Sequence, residues 1–299
     1  MRLSPRSIRR AVLVMLLLTA AQAGARGQGQ PAANPPAPQP SPTPSLESRF
    51  VKNILRDQRA IWTAPFHVAR GDARWLAPLG VSGVVLFATD HRTARALAEH
   101  GDNLTRLRIS KAVSRGGALY TTGAVSGAFY LVGRATKNAR AREAGLLGAE
   151  AIIDSEIVTV ALKTASQRPR PRVDDASGEF FDGGDTFPSG HAASAWALAT
   201  VLAHEYGRRR PLVRVGAYGL AAAVSVSRYT GRRHFLSDVL VGSAVGFGIG
   251  RYVYRTHHDP SLDDDPAKSG GARSKLIPFA APVYSRAERT YGLALAWNF

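Results

Sequence analysis

The stretch SRYTGRRHFLSD, residues 227–238, joins two apolar segments of helical character, Leu212–Ser227 and Phe235–Tyr254, through a short basic turn. His234 lies four residues before Asp238, and residues at this spacing share one face of a helix, so Asp238 is predicted to hold the imidazole. A carboxylate on one ring nitrogen fixes the tautomer and leaves the other nitrogen free to attack. Three arginines lie within six residues of the histidine, and guanidinium groups grip phosphate oxygens in bidentate fashion. The stretch therefore predicts a histidine nucleophile beside an oxyanion site, at a junction between helices.

The rest of the central chain also favours helices. Leu46–Arg59 has the pattern of a short amphipathic helix, and the apolar stretches that follow are Trp75–Thr89, Gly117–Gly133, Ala144–Ala165 and Ala192–Tyr206. Small residues are frequent in them, which lets helices pack closely. No alternation of strands and helices is present, so a parallel sheet is not expected. The predicted fold is an all-α bundle of about six core helices over residues 46–256.

The relation of this bundle to a membrane is left open by the sequence. Several of the apolar stretches are about 15 residues long, whereas a full membrane span needs about 20. Ala144–Ala165 also carries Glu150, Asp154 and Glu156. These segments are therefore either buried helices of a soluble bundle or weak spans with functional charges.

The two ends of the chain are predicted to lie outside the bundle. Residues 1–23 combine an arginine-rich start, an apolar run and a small-residue pattern ending at Ala23, the form of a cleavable secretory signal peptide. An uncleaved anchor is the alternative. Residues 24–45 are rich in Pro, Gln, Gly, Ala and Ser and predict a disordered linker. Residues 257–299 are expected to form a polar linker and a β-hairpin-like tail.

The composition narrows the class of chemistry. The chain of 299 residues has a formal net charge of +17 and no cysteine, so disulfides and thiolate metal sites are excluded. A basic chain suits anionic partners such as phosphorylated substrates, anionic lipid headgroups or nucleic acid. The basic residues are scattered without interleaved aromatic residues, so nucleic-acid binding is not expected. A generally basic surface is the plainer alternative.

Two further segments carry candidate phosphate ligands. KTASQRPRP, residues 163–171, places Lys163 near the end of a helix that the two prolines prevent from continuing. PSGH, residues 188–191, precedes a helix whose free N-terminal amides can bind an anion, where Gly190 allows close approach and Ser189 can cap or donate. The plainer alternatives are a cation favoured by the helix dipole and an ordinary Ser-Gly N-cap. Taken with the opening stretch, however, these groups suffice to bind, attack and protonate a tetrahedral oxyanion.

The three segments, in this order and at this spacing, resemble the signature of the type 2 phosphatidic acid phosphatase family, which is shared with the vanadium haloperoxidases. The resemblance covers roughly residues 74–255. It implies that His234 attacks phosphorus and forms a phosphohistidine, that Asp238 orients it, and that His191 protonates the leaving alcohol and then activates water. The phosphate ligands that it implies are Lys163, Arg170, Ser189, Gly190 and Arg228. No metal and no other cofactor is implied.

The predicted function is therefore a metal-independent phosphatase acting on phosphate monoesters or on lipid phosphates and pyrophosphates. The resemblance suggests phosphatidic acid, undecaprenyl pyrophosphate, phosphatidylglycerol phosphate or small soluble esters as substrates. The protein is expected to be exported, periplasmic or membrane-associated, with its active site facing the periplasm and its oligomeric state left open. A vanadium-dependent haloperoxidase is one alternative, and a non-catalytic anion-binding exported protein is another.

Other charged residues near the signature are predicted to stay outside the chemistry. Arg168, Arg232 and Arg233 are expected to face solvent, with a grip on a second substrate charge as the alternative. His257 and His258 are expected to lie in the tail rather than in a metal site. Four acidic residues are expected to line the entrance, at a spacing that matches no calcium loop: Asp174, Asp175, Asp182 and Asp185.

Overall fold

The computed structural model describes residues 46–67, 69–99, 103–172, 177–208, 210–263, 279–285 and 290–296. The predicted signal peptide and proline-rich linker lie outside these residues. The described residues form eight α-helices: α1 (Leu46–Thr63), α2 (Ala73–Glu99), α3 (Leu104–Ser114), α4 (Leu119–Ala135), α5 (Ala139–Ser166), α6 (Gly190–Gly207), α7 (Pro211–Thr230) and α8 (Leu236–His257). The helical class predicted for residues 46–256 is confirmed, with eight helices in the described residues where about six core helices were predicted.

The ends of the helices follow local chemistry. The side chain of Asn103 accepts hydrogen bonds from the first backbone N–H groups of α3, a helix that the sequence analysis did not predict. α5 ends at Ser166 because Gln167 adopts a left-handed conformation with φ of 48° and a proline-rich segment follows. α7 begins with Pro211, whose missing N–H would have no intrahelical partner at this position.

α6 is the central helix of the bundle, and it packs against α5, α7 and α8. α1 and α4 pack on α5, α3 packs on α7, and α2 packs on α8. The main hydrophobic core lies between α5, α6 and α8 and includes Leu147, Val201, Ile249 and Val253. None of the helices in the described ranges combines the length and the hydropathy that a membrane crossing requires.

Three glycines spaced by one helical turn let α8 approach α6 closely. A Cβ atom on Gly242 would lie 2.4 Å from the carbonyl oxygen of Ser189, and one on Gly246 would lie 2.1 Å from that of Ala193. At Gly250 the clash would again be with a backbone carbonyl oxygen of α6. Any side chain at these positions would push the two helices apart, so the glycines fix the separation of the helices on which the site is built.

Two features lie beyond or at the end of α8. Strands β1 (Phe279–Ser285) and β2 (Thr290–Ala296) pair antiparallel, with Phe279 opposite Ala296. At the end of α8, His257 is the last helical residue and His258 follows as its C-cap. Their side chains are nearly buried and contact carboxylates, so the prediction that these two histidines belong to a polar tail was wrong.

Candidate active site

The predicted site residues meet at one end of the bundle, where α5 and α7 finish and α6 and α8 begin. Lys163 lies in the last turn of α5 and Arg228 in the last turn of α7. Gly190 is the first residue of α6, and Asp238 lies in the first turn of α8. This end of the bundle therefore combines cations from two helix C-termini with the N-termini of two further helices.

His234 lies in the turn before α8 rather than on the helix, and it is 3% exposed. Its Nδ1 is 2.8 Å from the backbone carbonyl oxygen of Thr186. A carbonyl oxygen only accepts, so Nδ1 carries the proton and Nε2 is the free base of the neutral ring. Burial, together with the charges of Arg228 and Lys163 and against the opposing effect of Asp238, lowers the pKa of His234 to about 4. At neutral pH the ring is therefore uncharged, with Nε2 in the form that a nucleophile needs.

Asp238 acts on His234 through an intermediate hydroxyl. Its Oδ2 lies 3.7 Å from His234 Nδ1, so the predicted direct hydrogen bond is replaced by a longer contact. Thr186 Oγ1 donates to this Oδ2 at 2.9 Å and lies 3.0 Å from Nδ1. The Phe235 N–H also donates to Oδ2, at 2.8 Å. Burial acts to raise the pKa of Asp238, but its interactions with His234, Arg168 and the Phe235 N–H outweigh burial and lower the pKa.

Arg168 is a buried part of the site, so the prediction that it faces solvent was wrong. It is 2% exposed. Its Nη1 donates to Asp238 Oδ1 at 2.7 Å and to Ser237 Oγ at 2.8 Å, while its Nη2 donates to Asp90 Oδ2 at 2.9 Å. The guanidinium carbon also lies 4.1 Å from the centre of the Phe235 ring. Arg168 therefore fixes the position of Asp238, and Asp90 of α2 is its second carboxylate.

Lys163 and Arg170 converge on one acidic residue. Arg170 forms a bidentate pair with Asp185, with the Nε–Oδ1 and Nη2–Oδ2 distances both 2.9 Å. Lys163 Nζ donates to the backbone carbonyl oxygen of Asp185. Burial and the charge of Arg170 lower the pKa of Lys163, against an opposing effect of Asp185. A bound phosphate could take the place of Asp185 as the anionic partner of both cations. Asp174 and Asp175, which belong to the same loop, lie outside the described residues.

Arg228 is a buried guanidinium without a carboxylate partner in the described part of the chain. Its Nη1 donates to Ser114 Oγ at 3.3 Å, and its Nε has no hydrogen-bond partner among the described residues. Burial, followed by the charges of Arg170 and Arg233, lowers the pKa of Arg228 to about 10. Burying a cation that the protein does not neutralise lowers the stability of the fold. Such a cation is typical of a site where an anionic ligand supplies the missing negative charge.

A basic cavity of about 290 Å³ adjoins Arg228. Lys111, Arg172 and Arg233 also line it. Arg233 is exposed, as the sequence analysis expected, but with Arg172 and Arg228 it gives the cavity three guanidinium groups. Arg232 is partly exposed and adopts a left-handed φ of 54° in the turn.

Ser189 keeps a free hydroxyl at the start of α6. It is fully buried, it does not cap the helix through its side chain, and its Oγ has no hydrogen-bond partner among the described residues. Its backbone N–H donates to the carbonyl oxygen of Asp238 at 3.0 Å, which ties the start of α6 to the start of α8. The hydroxyl and the first amides of α6, beginning at Gly190, are therefore available to an anion.

His191 is half-buried in the first turn of α6. Burial lowers its pKa to about 4, and the nearby charges of Arg228, His234, Lys163 and Arg170 act in the same direction. The ring is therefore neutral at pH 7 when no anion is bound. A dianionic phosphate would raise the pKa of His191 because opposite charge favours the protonated form.

The depressed pKa values predict that acid weakens the fold. Between pH 6.5 and about 4 the unfolded chain binds protons on His191 and His234 that the folded protein does not. The free energy of unfolding therefore falls as the pH is lowered through this window. The change in this free energy per pH unit depends on how many more protons the unfolded chain binds. Replacing His191 by Asn removes up to one such proton and should reduce the slope by up to about 1.4 kcal/mol per pH unit. Urea unfolding of both proteins at several pH values measures the slopes, and equal slopes would contradict the assignment.

Several residues of the site were not found by sequence reasoning. Thr186 directly precedes the Phe187-Pro188 pair, and only the folded loop shows its role. Asp185 was expected at the entrance, but its pairing with Arg170 was not predicted. Glu156 lies two turns before Lys163 on α5 and accepts a hydrogen bond from Ser194 Oγ. Burial raises the pKa of Glu156, against the opposing effects of Ser194 and Lys163. Asp90 offered one signal, an acidic residue inside the long apolar pattern of α2.

Comparison with known protein families finds one match, in the central segment. Residues 144–261 match the family model of the PAP2 superfamily. This segment is therefore similar to the PAP2 superfamily. The PAP2 segment contains all eight predicted site residues and runs from α5 to the turn after α8. Asp90 lies outside it.

Known relatives match different shares of the chain. A lipid A 1-phosphatase of Porphyromonas gingivalis is 44% identical over 70 residues, which are 23% of this chain and 16% of that relative. The crystal structure of Aquifex aeolicus LpxE aligns with a TM-score of 0.43 and 20% identity, over 56% of this chain and 94% of that chain. The transmembrane PAP2 type phosphatidylglycerolphosphate phosphatase from Bacillus subtilis aligns with a TM-score of 0.46 and 21% identity, over 60% and 94% of the two chains.

Proposed function

We propose that this protein is a phosphatase that hydrolyses phosphorylated lipids through a phosphohistidine intermediate. The observation that carries the proposal is the set of unsatisfied groups around a neutral His234. Arg228 is a buried cation without a carboxylate partner in the described residues, and the buried Ser189 hydroxyl has no partner among them. Together with Lys163 these groups are suited to the oxygens of a phosphoryl group, whose charge they would stabilise in the transition state.

In the proposed first step, Nε2 of His234 attacks phosphorus as the bond from phosphorus to the ester oxygen breaks. His191, protonated once the anion is bound, transfers its proton to the leaving oxygen, so an alcohol is released. The Nδ1–H of His234 remains on the Thr186 carbonyl. Asp238 stabilises the positive charge that develops on the ring, and Arg168 holds Asp238 in place.

In the proposed second step, neutral His191 accepts a proton from a water molecule as that water attacks the phosphohistidine. The bond between phosphorus and Nε2 breaks, His234 returns to its neutral form, and inorganic phosphate leaves. Lys163, Arg170 and Arg228 supply the fixed positive charge in both steps, so we infer that hydrolysis needs no metal ion. Activity that survives treatment with EDTA would support this inference.

The proposal of a lipid substrate rests on the surface of the helices as well as on the family. α2 exposes Val81, Val84 and Val85, with 64%, 69% and 54% of their surface accessible. α7 exposes Leu212 and Val215, at 73% and 69%. Exposed apolar stripes of this kind mark surfaces that contact lipid or other proteins. We propose that they contact a lipid surface, and the signal-peptide-like start is the basis for proposing that the enzyme acts on the exported side of the membrane.

A comparison of two substrates tests the lipid proposal. The protein is assayed for phosphate release from phosphatidic acid in phosphatidylcholine vesicles and from a soluble aryl phosphate. The double variant Val81→Ser, Val84→Ser should reduce turnover in vesicles by about tenfold or more, because two apolar contacts of about 1–2 kcal/mol each are lost. Turnover of the soluble ester should not change, since Val81 and Val84 are exposed and carry no group that binds phosphoryl oxygens. Equal loss on both substrates, or no loss on vesicles, would contradict the role of this surface, and inactivity on both substrates would contradict the phosphatase itself.

A further inference from the structure

A second cluster of ionisable side chains lies at the other end of the bundle. Glu143 lies in the second turn of α5, Glu205 in the last turn of α6, and His258 caps α8. Lys163 and Glu143 are 20 residues apart on the same helix, and a rise of 1.5 Å per residue separates them by about 30 Å. The cluster is therefore independent of the proposed catalytic groups.

The two nitrogens of His258 both face carboxylates. Nε2 lies 3.2 Å from Asp263 Oδ2. Nδ1 lies 2.8 Å from Glu143 Oε1 and 3.5 Å from Glu205 Oε1. With Nε2 on Asp263, Nδ1 faces two further carboxylates, an arrangement that requires a positive charge between them, either a proton on the ring or a bound cation. In metal sites, an imidazole that binds the metal through one nitrogen usually donates a hydrogen bond from its other nitrogen to a carboxylate.

The carboxylates of the cluster have unsatisfied oxygens. Glu143 and Glu205 are each 1% exposed. Oε2 of Glu143 and Oε1 of Glu205 have no hydrogen-bond partner among the described residues. Arg140 is partly exposed, and it contacts Glu205 Oε2 at 3.5 Å and Asp263 Oδ1 at 3.1 Å. Neither contact involves the two free oxygens, which are left without a donor among the described residues.

We propose that Glu143, Glu205 and His258 bind one divalent transition-metal ion, for which Zn²⁺ is the best match. Zn²⁺ takes imidazole nitrogen and carboxylate oxygen at about 2.0–2.2 Å, so two donors on a tetrahedral ion lie about 3.3 Å apart. The two distances from Nδ1 to the carboxylate oxygens, 2.8 and 3.5 Å, lie on either side of this value. The ion would join α5, α6 and α8 and leave a fourth position to water. The proposal does not depend on the proposed phosphatase function.

The neighbouring cluster of Asp57, Glu150 and His257 serves as a comparison. Nδ1 of His257 lies 3.4 Å from Arg56 Nη2, and a guanidinium only donates. Nε2 therefore carries the proton and donates to Asp57 Oδ2 at 2.7 Å. Glu150 Oε1 lies 3.1 Å from the same nitrogen. Because Arg56 faces the second nitrogen of this ring, that nitrogen is not directed at a carboxylate, and a conservative change at Asp57 is a matched control.

Binding of Zn²⁺ to the full-length chain tests the proposal. The protein is freed of metals with EDTA, exchanged into buffer, and titrated with Zn²⁺ by calorimetry and in thermal unfolding. We expect one Zn²⁺ per chain and a higher unfolding temperature, with no comparable effect of Ca²⁺ because imidazole is a poor ligand for it. Glu205→Gln should weaken Zn²⁺ binding at least about tenfold and remove the thermal shift. Asp57→Asn and His234→Ala should retain both, the second because it removes a histidine of the active site.

The design separates metal binding from a structural role of Glu205. The Gln side chain keeps the volume of Glu and removes a buried charge, so the metal-free variant should unfold at the wild-type temperature or above it. The proposal is overturned if Zn²⁺ does not stabilise the wild-type protein, or if Glu205→Gln binds Zn²⁺ as tightly as the wild type. Loss of binding in Asp57→Asn alone would place the ion in the neighbouring cluster and would overturn it equally.

Discussion

Replacing His234 by Ala abolishes phosphate release and phosphoenzyme formation if the proposed chemistry is right. The expected loss of turnover is at least about 10⁴-fold, because the remaining cations bind the phosphoryl group but provide no atom to receive it. Rapid quenching of the wild-type protein in alkaline detergent with a ³²P-labelled substrate should trap a phosphoenzyme that is stable to alkali and labile to acid. The variant should show none while it still binds inorganic phosphate.

His204→Gln is the matched control for this experiment. His204 also places its Nδ1 on a backbone carbonyl, that of Thr200 at 2.7 Å, but it lies near the opposite end of α6. The control should form the phosphoenzyme at the wild-type level. If His234→Ala retained more than a few per cent of the wild-type activity, or if it formed the same acid-labile species, His234 would not be the nucleophile.

Replacing Arg168 by Met destabilises the fold as well as the chemistry. The change leaves Asp90 and Asp238 buried without the guanidinium that neutralises both of them. Removing one partner of a buried ion pair reduces the free energy of unfolding by about 3–5 kcal/mol. Chemical denaturation measures this loss. Adding Asp90→Asn to the variant should recover part of the stability, because it removes one of the two unpaired charges.

In contrast to the Arg168 variant, Arg170→Met should affect turnover rather than the stability of the fold. Arg170 pairs with Asp185 at a site where 32% and 65% of the two side chains are exposed, and exposed ion pairs contribute about 0–1 kcal/mol. We expect near-wild-type stability and a loss of turnover of roughly 100-fold, since a charge on the transferring phosphoryl group loses its partner. Equal stability of the Arg168 and Arg170 variants would contradict the different roles assigned to these two arginines.

The helical class and the positions of the site segments could be predicted because their signals are local. Prolines end α5, and the Ser189-Gly190 pair begins α6. Charged residues at such helix ends stand out against apolar sequence. The chemistry of imidazole, carboxylate and guanidinium then suggested how they act together. The weakly amphipathic helix α3, in contrast, alternates basic and apolar residues and gave no clear apolar stripe.

The contacts inside the site could not be predicted because they depend on residues far apart in the chain. Arg168 and Arg170 are two residues apart in the same proline-rich segment, and only packing against Phe235 and Asp90 distinguishes the buried one from the exposed one. The predicted bond from Asp238 to His234 assumed that both residues lie on one helix. α8 begins at Leu236, so the ring lies in the preceding turn, and Thr186 fills the space between it and the carboxylate.

The contact between Arg168 and Asp90 has a consequence for how far the chain can be shortened. The match to the PAP2 superfamily begins at residue 144, but α2 contributes Asp90 from well before that border. A fragment trimmed to the match would carry every residue of the signature and still expose the guanidinium that holds Asp238. A stable fragment must therefore retain the partners of Arg168 as well as the matched segment, and libraries or fusions should preserve α2.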